Sequence, residues 1–262
     1  MNEYQRKIMA LLIQNESVGV KELSRLLQIS DSTTRRQLTL MEKRGLVVRT
    51  HGGARLANPI TYELLYENRA AQALVAKRKI AAAALSYISP DLVIGLSGGT
   101  TCTELARLLR TQERLTVVTH AINIALEIQA QPERRVMVTG GLLNQNSYEL
   151  VGSQVSQSLQ NVHLDIAFVG VSGISAEFGF SMHDEPEAVA GRSFMAAADR
   201  TIVLADSTKI GKSTFARLCS IKDVHLMITD DQIDPRQAKL LRDAGLEILI
   251  ASSQNELKVS LS

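Results

Sequence analysis

The sequence predicts an α/β protein that has an N-terminal winged helix-turn-helix and, after it, a Rossmann-like, mostly parallel sheet domain. Two observations support this fold class. Residues 20–40 have the spacing of two helices joined by a tight turn, and from Asp91 onward short apolar runs alternate with helical segments. The predicted bounds are residues 1–56 for the head, 57–74 for a linker, 75–252 for the sheet domain and 253–262 for a tail.

The two helices at residues 20–40 are predicted to bury one face each. Core-facing positions recur at 20, 23, 26 and 27 and then at 34, 38 and 41, as in amphipathic helices. Ser30 is placed to cap the second helix. Short hydroxyls approach a DNA groove closely and arginine pairs with guanine edges or phosphates, so this helix is predicted to read DNA. The residues predicted for that role are Ser32, Thr33, Arg35 and Arg36.

Charge is unevenly distributed along the chain. Residues 1–56 contain ten Lys/Arg and five Asp/Glu, a net charge of +5, whereas the whole 262-residue chain carries +2. Residues 57–262 therefore carry −3. A basic head on a mildly acidic body is expected where one end binds a polyanion; a solvated basic domain without a nucleic-acid role is the alternative.

A wing is predicted directly after the DNA-reading helix. Gly45 tolerates the left-handed conformation that ends a helix, residues 46–50 have the pattern of a strand, and Gly52-Gly53 suits a tight reversal. Such a hairpin brings its basic side chains to the phosphate backbone. The residues predicted for this contact are Arg49, His51 and Arg55.

Seven apolar runs predict buried strands of a mostly parallel sheet that is covered on both faces. They span residues 92–96, 115–119, 135–139, 166–170, 201–205, 226–229 and 247–250. Helices are predicted at residues 73–88, 101–110, 121–130, 153–160, 186–198 and 235–244. Because ligands of such sheets bind beyond the carboxyl ends of the strands, the loops there are candidate sites.

Composition excludes several classes of protein. Hydrophobic residues make up 45% and charged residues 21%, which is ordinary for a soluble globular protein. No apolar run reaches membrane length and no signal-peptide core follows the first residues, so a cytoplasmic protein is expected. Cys102 and Cys219 form no CxxC pair, and neither a metal site, a disulfide framework nor a cofactor is predicted.

The loop Ser97-Gly98-Gly99-Thr100-Thr101 follows one predicted strand and begins a helix. Glycines let the backbone approach an anion, hydroxyls donate to it, and the start of a helix adds free N–H groups. The absence of a GxxxxGK sequence argues against nucleoside triphosphate hydrolysis. A Gly-Gly turn that binds nothing is an equal alternative.

The next two strand ends also carry candidate ligand-binding residues. Thr119 either caps the following helix or contacts a ligand, whereas His120 and Asn123 have side chains suited to the hydroxyls of a polyol. Gly140 and Gly141 either make room for a ligand or turn the chain.

Charged side chains recur near the later strand ends. Glu187 belongs to an Asp-Glu-Pro-Glu-Ala run, and Lys209 follows Asp206-Ser207-Thr208. A carboxylate suits sugar hydroxyls and a lysine suits a phosphate; a solvent-facing acid at a helix start and a surface lysine are the alternatives. Because these groups recur at successive strand ends, they predict a sugar-phosphate pocket.

These motifs resemble those of the DeoR family of bacterial transcriptional regulators along nearly the whole chain. In the head, the shared segments are Ile29-Ser30, Thr33 to Leu38, and His51-Gly52-Gly53-Ala54. Thr34 stands where the family usually has isoleucine, which implies a looser core, and Gln37 stands where it usually has aspartate.

The resemblance also implies a C-terminal sensor domain similar to ribose-phosphate isomerase. Ser97 stands where that domain usually has aspartate, and His120 where it usually has asparagine. The segments that match its motifs are Gly99-Thr100-Thr101, Thr119 with Asn123, Thr139-Gly140-Gly141, Glu187-Ala188, and Asp206-Ser207 with Lys209.

Catalysis is the less favoured reading of the second domain. Isomerisation of a sugar phosphate needs a base beside the C1–C2 bond, usually a carboxylate. The stretch at residues 170–175, which corresponds to the acidic run of related isomerases, contains Ser172 and Ser175 and no acid. An isomerase-like enzyme fused to a DNA-binding head and a DNA-binding oligomer without a ligand are the alternatives to a sensor.

Together these features predict a homo-oligomeric repressor, a dimer or tetramer, of a carbohydrate-utilisation operon. It is expected to bind double-stranded operator DNA and to be controlled by a phosphorylated sugar through the linker at 57–74. The predicted phosphate contacts are Gly98 to Thr101 with Lys209, and the predicted hydroxyl contacts are His120, Asn123 and Glu187.

Overall fold

The computed structural model describes residues 3–15, 17–57, 66–112, 114–128 and 133–252. The chain divides into two compact units, residues 1–71 and 72–262. Residues 58–65 of the predicted linker and the whole predicted tail, residues 253–262, lie outside the described residues. Of the rest of the predicted linker, Tyr66–Ala71 forms a helix.

The first unit contains the predicted helix-turn-helix and wing. The wing is an antiparallel sheet in the order β1-β3-β2, and its first strand, only two residues long, was not predicted. The elements are α1 (Glu3–Gln14), β1 (Val18–Gly19), α2 (Val20–Leu27), α3 (Asp31–Lys43), β2 (Val47–Thr50), β3 (Gly53–Leu56) and α4 (Tyr66–Ala71).

The core of the first unit differs from prediction at Leu26, which was expected on the buried face and is 50% exposed. Helix α2 has eight residues and buries Val20 and Leu23. Position 26 therefore falls outside the narrow stripe that a helix of two turns can bury. The rest of this core is contributed by Ile8, Met9, Leu12, Val18, Leu38, Met41, Val47, Ala54 and Leu56.

The second unit is built on a seven-stranded, parallel sheet in the order β15-β14-β12-β9-β4-β5-β6, and all seven predicted strands are confirmed. These strands are β4 (Val93–Leu96), β5 (Leu115–Thr119), β6 (Arg134–Val138), β9 (Leu164–Gly170), β12 (Ala198–Leu204), β14 (Leu226–Asp230) and β15 (Ile248–Ala251). Its helices are α5 (Leu74–Leu85), α6 (Thr100–Leu108), α7 (Ile122–Ile128), α8 (Ser153–Leu159), α9 (Glu185–Ala196) and α10 (Pro235–Asp243).

Helices cover both faces of the sheet, as the continuous apolar strands predict. One hydrophobic cluster joins the sheet to α5, α6 and α7 through residues such as Ile80, Leu105 and Ile124. A second joins it to α8, α9 and α10 through residues such as Val155 and Phe194. Within the described ranges, no helix has the length and apolarity needed to cross a membrane.

Two small antiparallel sheets were not predicted. One is a hairpin of β7 (Leu142–Asn144) and β8 (Glu149–Val151). The other joins β10 (Gly173–Ser175), β11 (Gly179–Met182) and β13 (Ala216–Cys219). Both adjoin the carboxyl ends of the parallel strands.

Candidate DNA-binding surface and ligand pocket

The start of α3 presents hydroxyls and arginines to solvent. Ser30 caps the helix: its Oγ accepts the backbone N–H of Thr33 at 3.2 Å and lies 2.8 Å from Oγ of Ser32. Arg35 and Arg36 are exposed one turn further along. The structure therefore brings the four predicted reading residues together on the first turns of one helix.

The wing residue Arg49 is connected to α3 as well as to its own strand. Its guanidinium Nη1 donates to Oγ1 of Thr39 at 3.3 Å, and its backbone N–H donates to the carboxylate of Glu42 at 3.3 Å. His51 and Arg55 are exposed, His51 at the turn between β2 and β3. His51 and Arg55 thus lie on the surface of the hairpin, and Arg49 lies between the hairpin and α3.

The side chain of Ser97 helps to hold the loop after β4 in place. Its Oγ accepts the backbone N–H of Gly170 at 2.9 Å, and its hydroxyl faces the carbonyl of Gly98 at 3.3 Å. Ser97 is buried, so its hydroxyl serves the junction between β4 and β9. Helix α6 then begins at Thr100 after Gly99, whose φ of +98° is a conformation that favours glycine.

His120 connects this loop to the β7–β8 hairpin. Its Nε2 accepts the backbone N–H of Gly98 at 3.1 Å, and its Nδ1 lies 2.9 Å from the carbonyl oxygen of Leu150. The ring is buried, and this burial lowers the pKa of His120 below its ordinary value. Both ring nitrogens have protein partners, and contact with a sugar hydroxyl stays a prediction.

Glu149 is a pocket residue that the sequence reasoning missed. It begins β8, is 3% exposed, and its Oε2 lies 3.9 Å from Nε2 of His120. Its carboxylate also packs on Gly98: a Cβ added there would stand 2.0 Å from Oε1. The contact depends on how the unpredicted hairpin folds onto the loop, and no residue pattern in the sequence signals it.

Glu187 lies at the start of α9 and points inward. It is 2% exposed, which rules out the alternative of a solvent-facing acid. Asn144 of the hairpin donates to its Oε1 at 3.2 Å. The helix itself is capped by Asp184, whose carboxylate accepts the backbone N–H of Glu187 at 2.8 Å. The carboxylate of Glu187 is therefore placed by α9 and by the hairpin together.

Three other predicted positions have defined structural contacts. Thr119 Oγ1 accepts the backbone N–H of Ala121 at 3.1 Å, so it stabilises the turn into α7. Gly141, at φ +147°, begins the hairpin, where a Cβ would meet the carbonyl oxygen of Val151 at 2.9 Å. Gly140 donates its N–H to Ser158 Oγ at 3.0 Å.

Asn123 lies on α7 and faces α6. Its Nδ2 donates to Oγ1 of Thr103 at 3.0 Å, and its Oδ1 is buried without a hydrogen-bond partner among the described residues. It lines a surface depression with Arg110, Leu126 and Glu127. The structure therefore places Asn123 at a helix–helix contact, and its role in ligand binding stays a prediction.

Lys209 ends a short 3-10 helix, Ser207–Lys209, after β12, and is half-buried. The neighbouring Asp206 and Ser207 serve the turn: Asp206 accepts the N–H of Thr208 at 3.1 Å, and Ser207 donates its N–H to Asp230 at 2.7 Å. The turn thus holds Lys209 beside the carboxyl end of β12.

Several polar groups near these strand ends are buried without a hydrogen-bond partner in the part of the chain that is described. They include the hydroxyls of Thr139 and Ser147. Buried polar atoms normally have partners, so such hydroxyls indicate a place for water or a ligand. After β9, Ser172 is buried and Ser175 accepts the N–H of Phe178 at 3.0 Å.

A metal-ligand geometry occurs away from this pocket. Ligand atoms of His163, Asp165 and Asp199 lie within 4.8 Å of one another near the amino ends of β9 and β12. Asp165 already accepts the N–H of Val93 at 2.7 Å, and His163 lies 3.1 Å from Asp199. Because His163 and Asp199 are exposed, a solvated surface cluster accounts for the group.

Comparison with protein families gives two matches that together span most of the chain. Residues 5–59 match the DeoR-like helix-turn-helix domain, and residues 72–231 match the DeoR C terminal sensor domain. A relative from Escherichia coli O157:H7, named for repression of the aga operon, is 35% identical over 95% of this chain and 93% of its own. The HTH-type transcriptional regulator GolR of Listeria innocua is 32% identical over 95% and 98%.

Another relative, the HTH-type transcriptional repressor GlcR of Bacillus subtilis, is 31% identical over 96% of both chains. Among solved structures, ribose 5-phosphate isomerase A from Neisseria gonorrhoeae aligns with 51% of this chain and 52% of its own at 12% identity and a TM-score of 0.38. That score is low, so the fold class rests on the order and direction of the seven parallel strands.

Proposed function

The chain belongs to the DeoR family of DNA-binding transcriptional regulators, and from that membership we propose that it represses a carbohydrate-utilisation operon under the control of a phosphorylated sugar. It acts in the cytoplasm as a homo-oligomer, a dimer or tetramer, on double-stranded operator DNA. The effector binds the second unit and releases the first from DNA. The match to both family domains, with relatives named as regulators along nearly their whole length, carries this proposal.

Operator recognition is assigned to the start of α3. Ser32 and Thr33 approach the base edges, and Arg35 and Arg36 pair with guanines or phosphates. The exposure of Ser32, Arg35 and Arg36 and the Ser30 cap support this role, because the cap fixes the first turn that enters the groove. Arg49, His51 and Arg55 hold the wing to the phosphate backbone.

The effector's phosphate is assigned to the loop between β4 and α6. The first-turn N–H groups of an α-helix have no partner within the helix, and they attract anions together with the helix dipole. Thr100 and Thr101 begin that helix, Gly98 and Gly99 lead into it, and Lys209 supplies a positive charge from the 3-10 helix that follows β12. Ser97, Thr119 and His120 fix the loops around the ligand.

The sugar's hydroxyls are assigned to Glu187, with Asn123 and the Gly140-Gly141 turn lining the approach. Asn144 of the hairpin donates to this carboxylate, and a carboxylate is an acceptor suited to the hydroxyl groups of a sugar. Binding takes place without turnover. This is supported by Ser172 and Ser175, which stand where an isomerase needs a carboxylate base, and by relatives that are named as regulators.

The test measures the melting temperature of the full chain against phosphorylated sugars, each paired with its unphosphorylated form. One sugar phosphate is expected to raise the melting temperature, since a ligand that binds only the folded state stabilises it by mass action. The same compound should reduce DNA binding. Thr101→Val and Lys209→Met should weaken the rise, whereas Lys239→Met, which changes an exposed side chain of α10, should leave it unchanged.

A folded protein that binds DNA but responds to no sugar phosphate would leave the ligand-free oligomer as the better reading. Turnover of the stabilising compound, followed by NMR, would favour the isomerase-like enzyme.

A further inference from the structure

The β7–β8 hairpin closes over the loop between β4 and α6. Two glycines in positive φ bound it, Gly141 at +147° and Gly152 at +105°. The turn between the strands contains Tyr148 at φ +62°, which is unfavourable for a bulky side chain. Glycines at both ends of a short hairpin can absorb the backbone rotation of a hinge, so this hairpin resembles a hinged segment.

The side chain that this hairpin brings to the loop is Glu149. A glycine at position 98 was expected because a ligand must approach the backbone closely. The structure shows instead that the space beside Gly98 is taken by the Glu149 carboxylate, whose Oε1, Cδ and Cγ would all lie within 2.3 Å of an added Cβ. An anion therefore stands against the loop assigned to the phosphate.

We propose that Glu149 is a displaceable plug: its carboxylate closes the Gly98–Thr101 loop in the ligand-free protein, and the phosphate of the effector expels it together with the hairpin. This inference rests on the proposed function of that loop. A phosphate and a carboxylate at the same loop repel each other, and the repulsion is strong where burial excludes water. Binding of one therefore favours departure of the other.

The hairpin has the packing of an element that can move. Leu142 is 74% exposed and Leu143 is 47% exposed, so its outer strand has little apolar burial. Its hydrogen bonds to neighbouring elements include Leu150 N–H to the His120 carbonyl at 2.7 Å, Ile122 N–H to the Tyr148 carbonyl at 3.0 Å, the contact with the His120 ring, and Asn144 to Glu187 of α9 at 3.2 Å. Expulsion of Glu149 would loosen these hydrogen bonds. Phosphate binding would then move the β7–β8 hairpin away from the loop between β4 and α6.

Hydrogen–deuterium exchange with inorganic phosphate as the probe tests this inference. In the wild-type full chain, phosphate should slow exchange at residues 98–103 and, at the same concentrations, accelerate it at residues 142–151. Glu149→Gln keeps the size of the side chain and removes its charge. The variant should exchange faster at 142–151 without ligand and bind phosphate roughly threefold to tenfold more tightly.

Glu247→Gln is the matched control, because it removes the same charge from an exposed residue before β15. It should behave like the wild type. Protection of 98–103 without any change at 142–151, together with unaltered phosphate affinity in Glu149→Gln, overturns the plug and leaves the phosphate loop standing. If phosphate slows exchange at residues 98–103 in neither the wild type nor Glu149→Gln, both the plug and the assignment of phosphate to this loop are wrong. If Glu149→Gln does not fold, the exchange of the wild type at residues 142–151 with and without phosphate still tests the plug.

Discussion

Gly98 donates its backbone N–H to Nε2 of His120 at 3.1 Å. Because Nε2 is an acceptor here, the proton of the neutral ring is on Nδ1, which donates to the Leu150 carbonyl at 2.9 Å. If Nε2 were protonated, its N–H and the N–H of Gly98 would point at each other at a buried position, and neither would have an acceptor there. The arrangement therefore requires neutral histidine, in agreement with the lowering of the His120 pKa by burial.

The first prediction concerns stability below neutral pH. The folded protein holds a proton on His120 less tightly than the unfolded chain, whose histidine titrates near 6.5. The unfolded state then binds more protons, so the free energy of unfolding falls as pH drops from 6.5 toward the lowered pKa. His120→Asn should remove this part of the pH dependence. Urea unfolding between pH 5 and pH 8 measures it.

His163→Asn is the control for this experiment, since His163 is exposed in the same unit. It should retain the wild-type slope. Equal slopes for wild type and His120→Asn would contradict the neutral, buried ring.

The second prediction concerns the contact between Gly98 and Glu149. Gly98→Ala adds a methyl 2.0 Å from Glu149 Oε1 and should lower the free energy of unfolding by about 1–3 kcal/mol, as overpacked sites do. In a Glu149→Ala background the added methyl has room, so most of that loss should disappear. A double-mutant cycle by urea unfolding gives the coupling.

Gly99→Ala is the comparison for the second prediction. A Cβ at Gly99 has no atom within 4 Å, but its φ of +98° is unfavourable for alanine. Its cost should be the same with or without Glu149, because it arises from the backbone. If Gly98→Ala lowers the free energy of unfolding equally in the wild-type and Glu149→Ala backgrounds, the Glu149 carboxylate does not pack on Gly98.

The sequence predicted the parallel sheet well because its strands are buried on both faces. A run such as Ile166 to Gly170 has no polar interruption, and only a sheet covered by helices on both sides buries such a run. The β7–β8 hairpin was missed for the opposite reason. Its strands are three residues long and carry Asn144 and Glu149, so they lack both length and apolar alternation.

The candidate pocket was only partly predictable. Strand ends of a parallel sheet converge, so the loops at residues 97–101, 119–123 and 206–209 follow from the order of elements. The contact of Glu149 with Gly98 joins residues 51 positions apart through an element without a sequence signal. Likewise, nothing in the sequence shows that both ring nitrogens of His120 have protein partners.

The third prediction concerns the core of the helix-turn-helix. Thr34 is buried where the family usually has isoleucine, yet its hydroxyl lies 3.0 Å from Ser24 Oγ and donates to the Ser30 carbonyl at 3.1 Å. Thr34→Val should lower stability by about 1 kcal/mol, because it leaves the Ser24 hydroxyl without this partner. Ser24→Ala in the Thr34→Val background should recover part of the loss. Calorimetry of the full chain measures both, and an unchanged melting curve for Thr34→Val would contradict the hydroxyl pair.

The fourth prediction concerns the attachment of Arg49 to α3. Arg49→Ala removes one proposed phosphate contact, so the slope of log affinity against log salt concentration should become shallower by about 0.9. Thr39→Val removes the hydroxyl that accepts from Nη1 at 3.3 Å but keeps the charge. It should weaken binding less and preserve the slope, because a less confined guanidinium still reaches a phosphate. Fluorescence anisotropy on DNA selected from a random pool, at several salt concentrations, distinguishes the two effects. Lys79→Ala, in the second unit, controls for a general loss of positive charge. A wild-type slope in Arg49→Ala would show that Arg49 supports the fold of the wing and makes no phosphate contact.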